Sequence, residues 1–307
     1  MKFGLGFPCL NLYPPTLQPW EASATSADLV AIARRADEAG FDYLSVSDHL
    51  LMTVEMNEAM GARWCEGVTS LAFLAGATRD IQVYTSVLVL PYRNPLLLAK
   101  QIATLDFMSG GRVVLGVGIG HLEKEFELLG VSRRDRAAIS DEYLRALDVL
   151  FREERPAFAG DWVSFDGLVF EPKPVREPHL PVWIGGNSPA ALRRAARFGD
   201  GWVPWRITPD ELPACIETLK SQPDYSEPEG GFDVVMPLTI IQREEGTQRE
   251  LGETRIPDGV GEWCDVVGEN ARSGATVSSV SFGSTRTVDE YLAKIDLFAA
   301  EVVPKFR

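Results

Sequence analysis

Eight times along the chain, a short run rich in β-branched and aromatic residues is followed by a stretch whose apolar side chains fall at helical spacing. The first round pairs KFGLGF (2–7) with ADLVAIARRADEAG (27–40), where Leu29, Ile32, Ala33 and Ala36 share one face and Gly40 closes the helix. The later strand-like runs are FDYLSVS, IQVYTSVLVL, RVVLGVG, PVWIGG, DGWVPW, DVVMPLTIIQ and VSSVSFG. Among the helical stretches between them, Pro95 suits the first turn of one, and Ser140 and Thr208 are expected N-caps. Near-continuous apolar strands such as VYTSVLVL fit a parallel sheet covered on both faces. The expected fold is α/β: a TIM-like (β/α)8 barrel in one domain over residues 1–307.

Loop lengths add direction to that fold. The returns from helix to strand are short (AGF, SGGR, FGDG), whereas the segments after strands are long at 8–25, 48–67, 118–139 and 243–260. In a barrel all strand-to-helix loops lie on one face, where such enzymes build their sites. The exception is a Pro- and aromatic-rich insertion before the fifth strand, at about 155–180, in which VSFDGLVF reads as a small strand of its own. No shift in composition marks a second domain.

The charge balance narrows the partners. With 44 acidic against 30 basic residues and a net charge of -14, the chain repels polyanions, and SRRDR (132–136) is too short and mixed to reverse that. No nucleic acid and no membrane are expected; the partner is a small-molecule substrate, with a homodimer left open. The four cysteines show no CxxC spacing and read as free thiols of a reducing compartment. MKFGLGFPCL lacks the apolar core of a signal peptide, so a cytoplasmic location is expected.

Three motifs fall on the active rim. In SVSDHLL (45–51), Asp48 and His49 end the second strand: either Asp48 caps a turn, or His49 is an acid/base with Asp48 orienting it or binding a ligand. GVGIGH (116–121) is not the dinucleotide fingerprint; its glycines admit either a close ligand or tight packing, and Glu123 and Glu125 read equally well as solvated loop acids. VWIGGNSPAALRR (182–194) is a capped strand-to-helix turn or an anion site at a helix start. No HxH, HExxH or G-x-S-x-G spacing supports a metal or a serine nucleophile.

In this order and spacing, SVSDHLL, SVLVLPYRNPLLLAKQIATLDFMSGGRVVLGVGIG, EFELLGV and LPVWIGGNSPAALRRAARFGDGWVP resemble the luciferase-like flavin and deazaflavin oxidoreductases, closest to their coenzyme F420-dependent branch. The resemblance covers most of 1–205 and implies a barrel that binds a deazaflavin at the carboxyl ends of its strands. It implies Asp48 and His49 beside the ring, and a non-prolyl cis peptide at Ser86-Val87 propping that ring. It further implies Gly118 and Gly120 close to the cofactor, with Gly185, Gly186 and Asn187 at its phosphate. Sugar-phosphate dehydrogenases of this branch carry a glutamate where this chain has His121, and the cations they use for a phosphate have no counterpart in 205–285. A sugar phosphate is therefore not expected. Hydride transfer needs a nearby proton carrier in a dry pocket. His49, then His121, would supply it, and Phe7, Met52, Trp64 and Trp205 would enclose the substrate if they are not ordinary packing. The leading expectation is an F420-dependent oxidoreductase on a small organic substrate. The alternatives are an FMN-dependent monooxygenase with a partner reductase and oxygen, and a non-catalytic flavin or deazaflavin carrier.

Overall fold

The computed structural model describes residues 1–242 and 253–307; of the long segment expected at 243–260, residues 243–252 lie outside the described residues. Eight strands form the ring: β1 (Lys2–Gly6), β2 (Tyr43–Val46), β3 (Gln82–Thr85), β4 (Val113–Gly118), β5 (Val182–Gly185), β6 (Gly201–Val203), β7 (Asp233–Pro237) and β8 (Val277–Val280). Each pairs in parallel with the next and β8 returns to β1, so the sheet closes as a (β/α)8 barrel of the TIM type. A two-residue strand, Leu88–Val89, carries β3 further up along β4.

Eight helices wrap the ring: α1 (Ser26–Glu38), α2 (Gly67–Ala77), α3 (Pro95–Ser109), α4 (Arg136–Arg152), α5 (Pro189–Phe198), α6 (Leu212–Lys220), α7 (Val260–Arg272) and α8 (Val288–Glu301). Their ends follow from capping chemistry. Thr25 and Asp28 form a capping box on α1, Asn94 caps α3, and Gly110 ends α3 at φ 72°. Two expected caps move. Ser140 lies one turn inside α4, its Oγ donating to the Arg136 carbonyl at 2.7 Å, while Thr208 belongs to a turn that precedes α6.

The insertion carries an antiparallel hairpin, Phe158–Ala159 with Ser164–Phe165, so only the start of VSFDGLVF is strand. Buried Glu142 of α4 holds its tip by accepting from the amides of Asp161, Trp162 and Val163 at 2.8–2.9 Å. Asp106 and Arg112 are structural: buried Asp106 accepts from the amides of Val113, Val175 and Arg176, and Arg112 donates to the carbonyls of Ala75 and Ile81.

The lumen explains where the site forms. Side chains alternate along a strand, so residues two apart share a face. The lower layer is large: Tyr43, Tyr84, Val114, Trp183, Val235 and Val277 fill the barrel, with the Tyr43, Tyr84 and Trp183 rings packed edge-to-face at 4.9–6.1 Å. Two residues on, five of the six positions turn small, at Ser45, Ser86, Gly116, Gly185 and Ser279, while β7 carries Pro237. An aromatic plug thus gives way to a mouth lined by hydroxyls and glycines. Gly116 has no alternative there, because a Cβ would lie 1.9 Å from the Thr85 carbonyl oxygen.

Candidate active site

Past β2 the chain runs into Ser47, Asp48 and His49, and the two titratable neighbours face different partners. Asp48 is buried and makes a bidentate pair with Arg93, both N···O distances being 2.7 Å, while its Oδ2 also accepts from the Val89 amide at 3.1 Å. Arg93 reaches on to Glu66 at 2.8 Å. Burial opposes the Arg93 charge, but the hydrogen bonds and charges of Asp48 and Glu66 prevail and hold the guanidinium above its ordinary value. Asp48 therefore clamps the β3 extension to β2, and His49 takes Glu125 as its partner, which corrects the expectation that Asp48 orients the imidazole directly.

The partner of His49 is Glu125. His49 Nδ1 lies 3.4 Å from Glu125 Oε2, which also accepts from the Tyr92 hydroxyl at 2.8 Å. Oε1 accepts from the amides of Leu50 and Leu51 at 2.7 and 3.3 Å. Glu125 is 1% exposed, so it is not the solvated loop acid that remained open above; Glu123, exposed and facing Arg133, is. Burial pushes the Glu125 carboxyl up, but hydrogen bonds from His49, the Leu50 amide and Tyr92 outweigh it and hold it below the usual glutamate range. Trp64 packs edge-on against the His49 ring at 4.6 Å, and His121 lies 5.7 Å away at the exposed rim.

Across the mouth, the Ser86-Val87 peptide bond is cis. The glycines expected near a ligand make room for the segment that follows it. A Cβ on Gly118 or Gly185 would stand 2.7 or 3.1 Å from the Val87 methyls, and one on Gly120 2.7 Å from Val89. Tight packing, one of the two roles left open for them, is thus met at Gly118 and Gly120. Gly186 donates its amide to Val203, and Asn187 exchanges hydrogen bonds with the backbone of Trp205. Ser188 caps α5 by accepting from Ala191 at 3.1 Å.

Between the ends of β1, β2, β3 and β8 lies a cavity of about 210 Å³. Phe7 lines it as expected of an enclosing side chain, but Met52 is half-buried elsewhere in the β2 loop and Trp205 is 67% exposed outside it. Trp64 joins the two halves of the site: it pairs with Asn11, whose side chain donates to Ser47 on the cavity wall.

Comparison with known proteins places this arrangement. Residues 6–250 match the family model of the luciferase-like monooxygenases. The chain is similar to an FMNH2-dependent dimethylsulfone monooxygenase of Pseudomonas putida, 32% identical over 197 residues, covering 63% of this chain and 50% of that protein. It is equally similar to an F420-dependent glucose-6-phosphate dehydrogenase of Amycolatopsis mediterranei, 33% identical over 180 residues, covering 57% and 52%. The match thus spans about half the length of these two curated relatives. The structure of the monooxygenase RslO1 from Streptomyces bottropensis superposes over 100% of both chains with a TM-score of 0.79 at 21% identity, a likeness of fold.

Proposed function

We propose a function on one premise: the chain belongs to the luciferase-like monooxygenase family. The reading is an oxidoreductase that transfers a hydride between deazaflavin F420 and a small organic substrate. The observation that carries it is the His49–Glu125 pair at the barrel mouth, a part-buried imidazole against a buried carboxylate, which gives a proton carrier beside the place proposed for a redox ring.

The residues present fit such a cofactor. Val87, braced from behind by Gly118 and Gly185, presents a firm platform suited to a flat ring. The start of α5, with Gly186 at φ 109° and Ser188 as cap, suits a phosphate, for which the Ser188 and Ala190 amides are the available type of donor. When bound, a deazaflavin supplies a ring carbon that gives or takes hydride. The chain's own part is the proton. With Glu125 ionised, His49 donates from Nδ1 to Oε2, which leaves Nε2 to take a proton from, or return one to, the substrate. Trp64 on one side and the plugged lumen below narrow the access of water to that exchange.

The FMN-dependent monooxygenase is the second reading, favoured by the near-equal similarity to the Pseudomonas enzyme. Parallel titration of the cofactor-free protein with F420 and FMN separates them. Stoichiometric quenching of F420 fluorescence with weak FMN binding is the expected result; tight FMN binding and none of F420 would reverse the order. If F420 binds but no substrate in a broad panel changes its redox state, the protein is a carrier.

Phe73, Leu97, Phe107 and Met108 expose apolar side chains on the adjacent helices α2 and α3. A face of this kind supports a homodimer that covers it. Sedimentation should give a dimer that Phe107→Glu with Met108→Glu converts to monomer; a monomeric parent chain would remove the idea.

A further inference from the structure

The cavity beside the cis bulge differs from the rest of the mouth in its chemistry. Five serines face it: Ser45, Ser47, Ser86, Ser279 and Ser281, supplied by β2, β3, β8 and the residues just beyond them. Among the described residues that line it, Glu21 is the one with an acidic or basic side chain of the Asp, Glu, Lys, Arg or His type. No lining arginine, lysine or histidine is described.

Glu21 is built into its position. It is 5% exposed, Oε2 accepting from the Cys9 amide at 2.8 Å and Oε1 from the Gln18 amide at 2.9 Å. Cys9 adopts φ 70°, a region that side chains rarely enter. Gln18 is in turn pinned by Thr285, whose amide donates to its side chain at 2.9 Å, and Trp20 Nε1 donates to Thr285 Oγ1 at 2.9 Å. A carboxylate offers about four acceptor sites, and the two backbone amides take about half of them. Burial, only partly offset by those two amides, holds the Glu21 carboxyl above its ordinary value. A donor or cation brought against it would relieve that desolvation.

We propose that this cavity binds a small amine- or hydroxyl-bearing molecule, neutral or cationic, with Glu21 as its anchor, and that it rejects anions such as carboxylates and sugar phosphates. The hydroxyls suit a polar head group, and an anion would meet Glu21 in a lining without a cation; the Arg63 guanidinium, which donates to the Glu21 backbone carbonyl at 3.4 Å, is not part of that lining. The chain's overall negative charge acts in the same direction. This deepens the oxidoreductase reading, and rests on it only in taking the bound molecule to be the substrate; the binding itself needs no cofactor.

Three probes of one skeleton test it on the cofactor-free full-length chain: cyclohexylamine, cyclohexanol and cyclohexanecarboxylate, followed by saturation-transfer NMR at neutral pH. The amine should bind at least about tenfold more tightly than the alcohol, the margin of a charge-assisted hydrogen bond, and the carboxylate should not bind. Glu21→Gln should erase the preference for the amine. Carboxylate binding equal to that of the amine, or a preference that survives Glu21→Gln, overturns the proposal. Should Glu21→Gln fail to fold, Ser279→Val fills the cavity without touching the carboxylate: loss of amine binding supports the site, and unchanged binding overturns it. A protein that sorts the probes as expected but binds neither F420 nor FMN retains this site and loses the redox reading. One that binds cofactor but does not sort the probes loses this proposal alone.

Discussion

His49→Gln is expected to slow turnover by about 10²–10⁴-fold, the range ascribed to a positioned acid or base, while cofactor affinity changes by no more than about threefold. The split follows from where the ring sits. Nδ1 is turned to Glu125 and Trp64 packs on the ring, so Nε2 is the nitrogen the proposed proton transfer would use. Stopped-flow turnover beside equilibrium cofactor titration reads both quantities; equal losses in the two, or undiminished turnover, would remove the proton role. Glu125→Gln should give a smaller kinetic loss and a distinct acid signature. A carboxyl whose folded value is depressed contributes stability that is complete above the ordinary glutamate range, near about 4.3, and is lost as pH falls through the lowered value. The variant should lose that part of the acid-side slope in urea unfolding.

The barrel was legible because its signals repeat: apolar strands alternate with capped helices, and the short returns all fall on one side. Most of the mouth was written there too, in YLSVS, YTS, VLGVG, WIG and VSSVS, where the lumen position passes from large to small two residues on; β7, with Val235 and Pro237, departs from the pattern. His49 was legible through the resemblance and its strand end. Glu125 was not, because an acid in EKEFELL looks solvated when read alone. A signal existed: it falls one residue before buried Phe126 and three after buried Leu122, on the face the short helix Glu123–Leu129 turns inward. Glu21 and Arg93 were invisible for a different reason. Arg93 meets Asp48 and Glu66 across loops, and no local pattern reports which loops the closed barrel brings together; Glu21 holds the amides of Gln18 and Cys9 within its own loop, whose fold carries no periodic signal. The glycines are ambiguous for a third reason: a small residue signals close approach without naming what approaches, and at Gly118 Val87 of the same chain does so.

The clamp under the site should be costly to break. Arg93→Met is expected to destabilise the fold by about 3–5 kcal/mol, because it leaves the Asp48 carboxylate buried without its counter-charge. The Asp48 side chain has no solvent exposure and that of Arg93 is 12% exposed, so water cannot replace the lost partner as it does at a surface pair. The Val89 amide alone would remain on Oδ2. Asp48→Leu combined with Arg93→Met should recover much of the loss, since no unpaired charge then stays inside, although Glu66 loses its partner as well. Urea unfolding of the parent, both single variants and the double measures the coupling. A loss below about 1 kcal/mol for Arg93→Met would mean the pair behaves like an exposed one. The same break should reach catalysis, because Arg93 follows Tyr92 in the chain, and Tyr92 holds Glu125 against His49. Asp48 would then serve its sequence neighbour by the long route, through Arg93, Tyr92 and Glu125. Rescue of stability in the double variant without rescue of turnover would show that this route requires the ion pair itself.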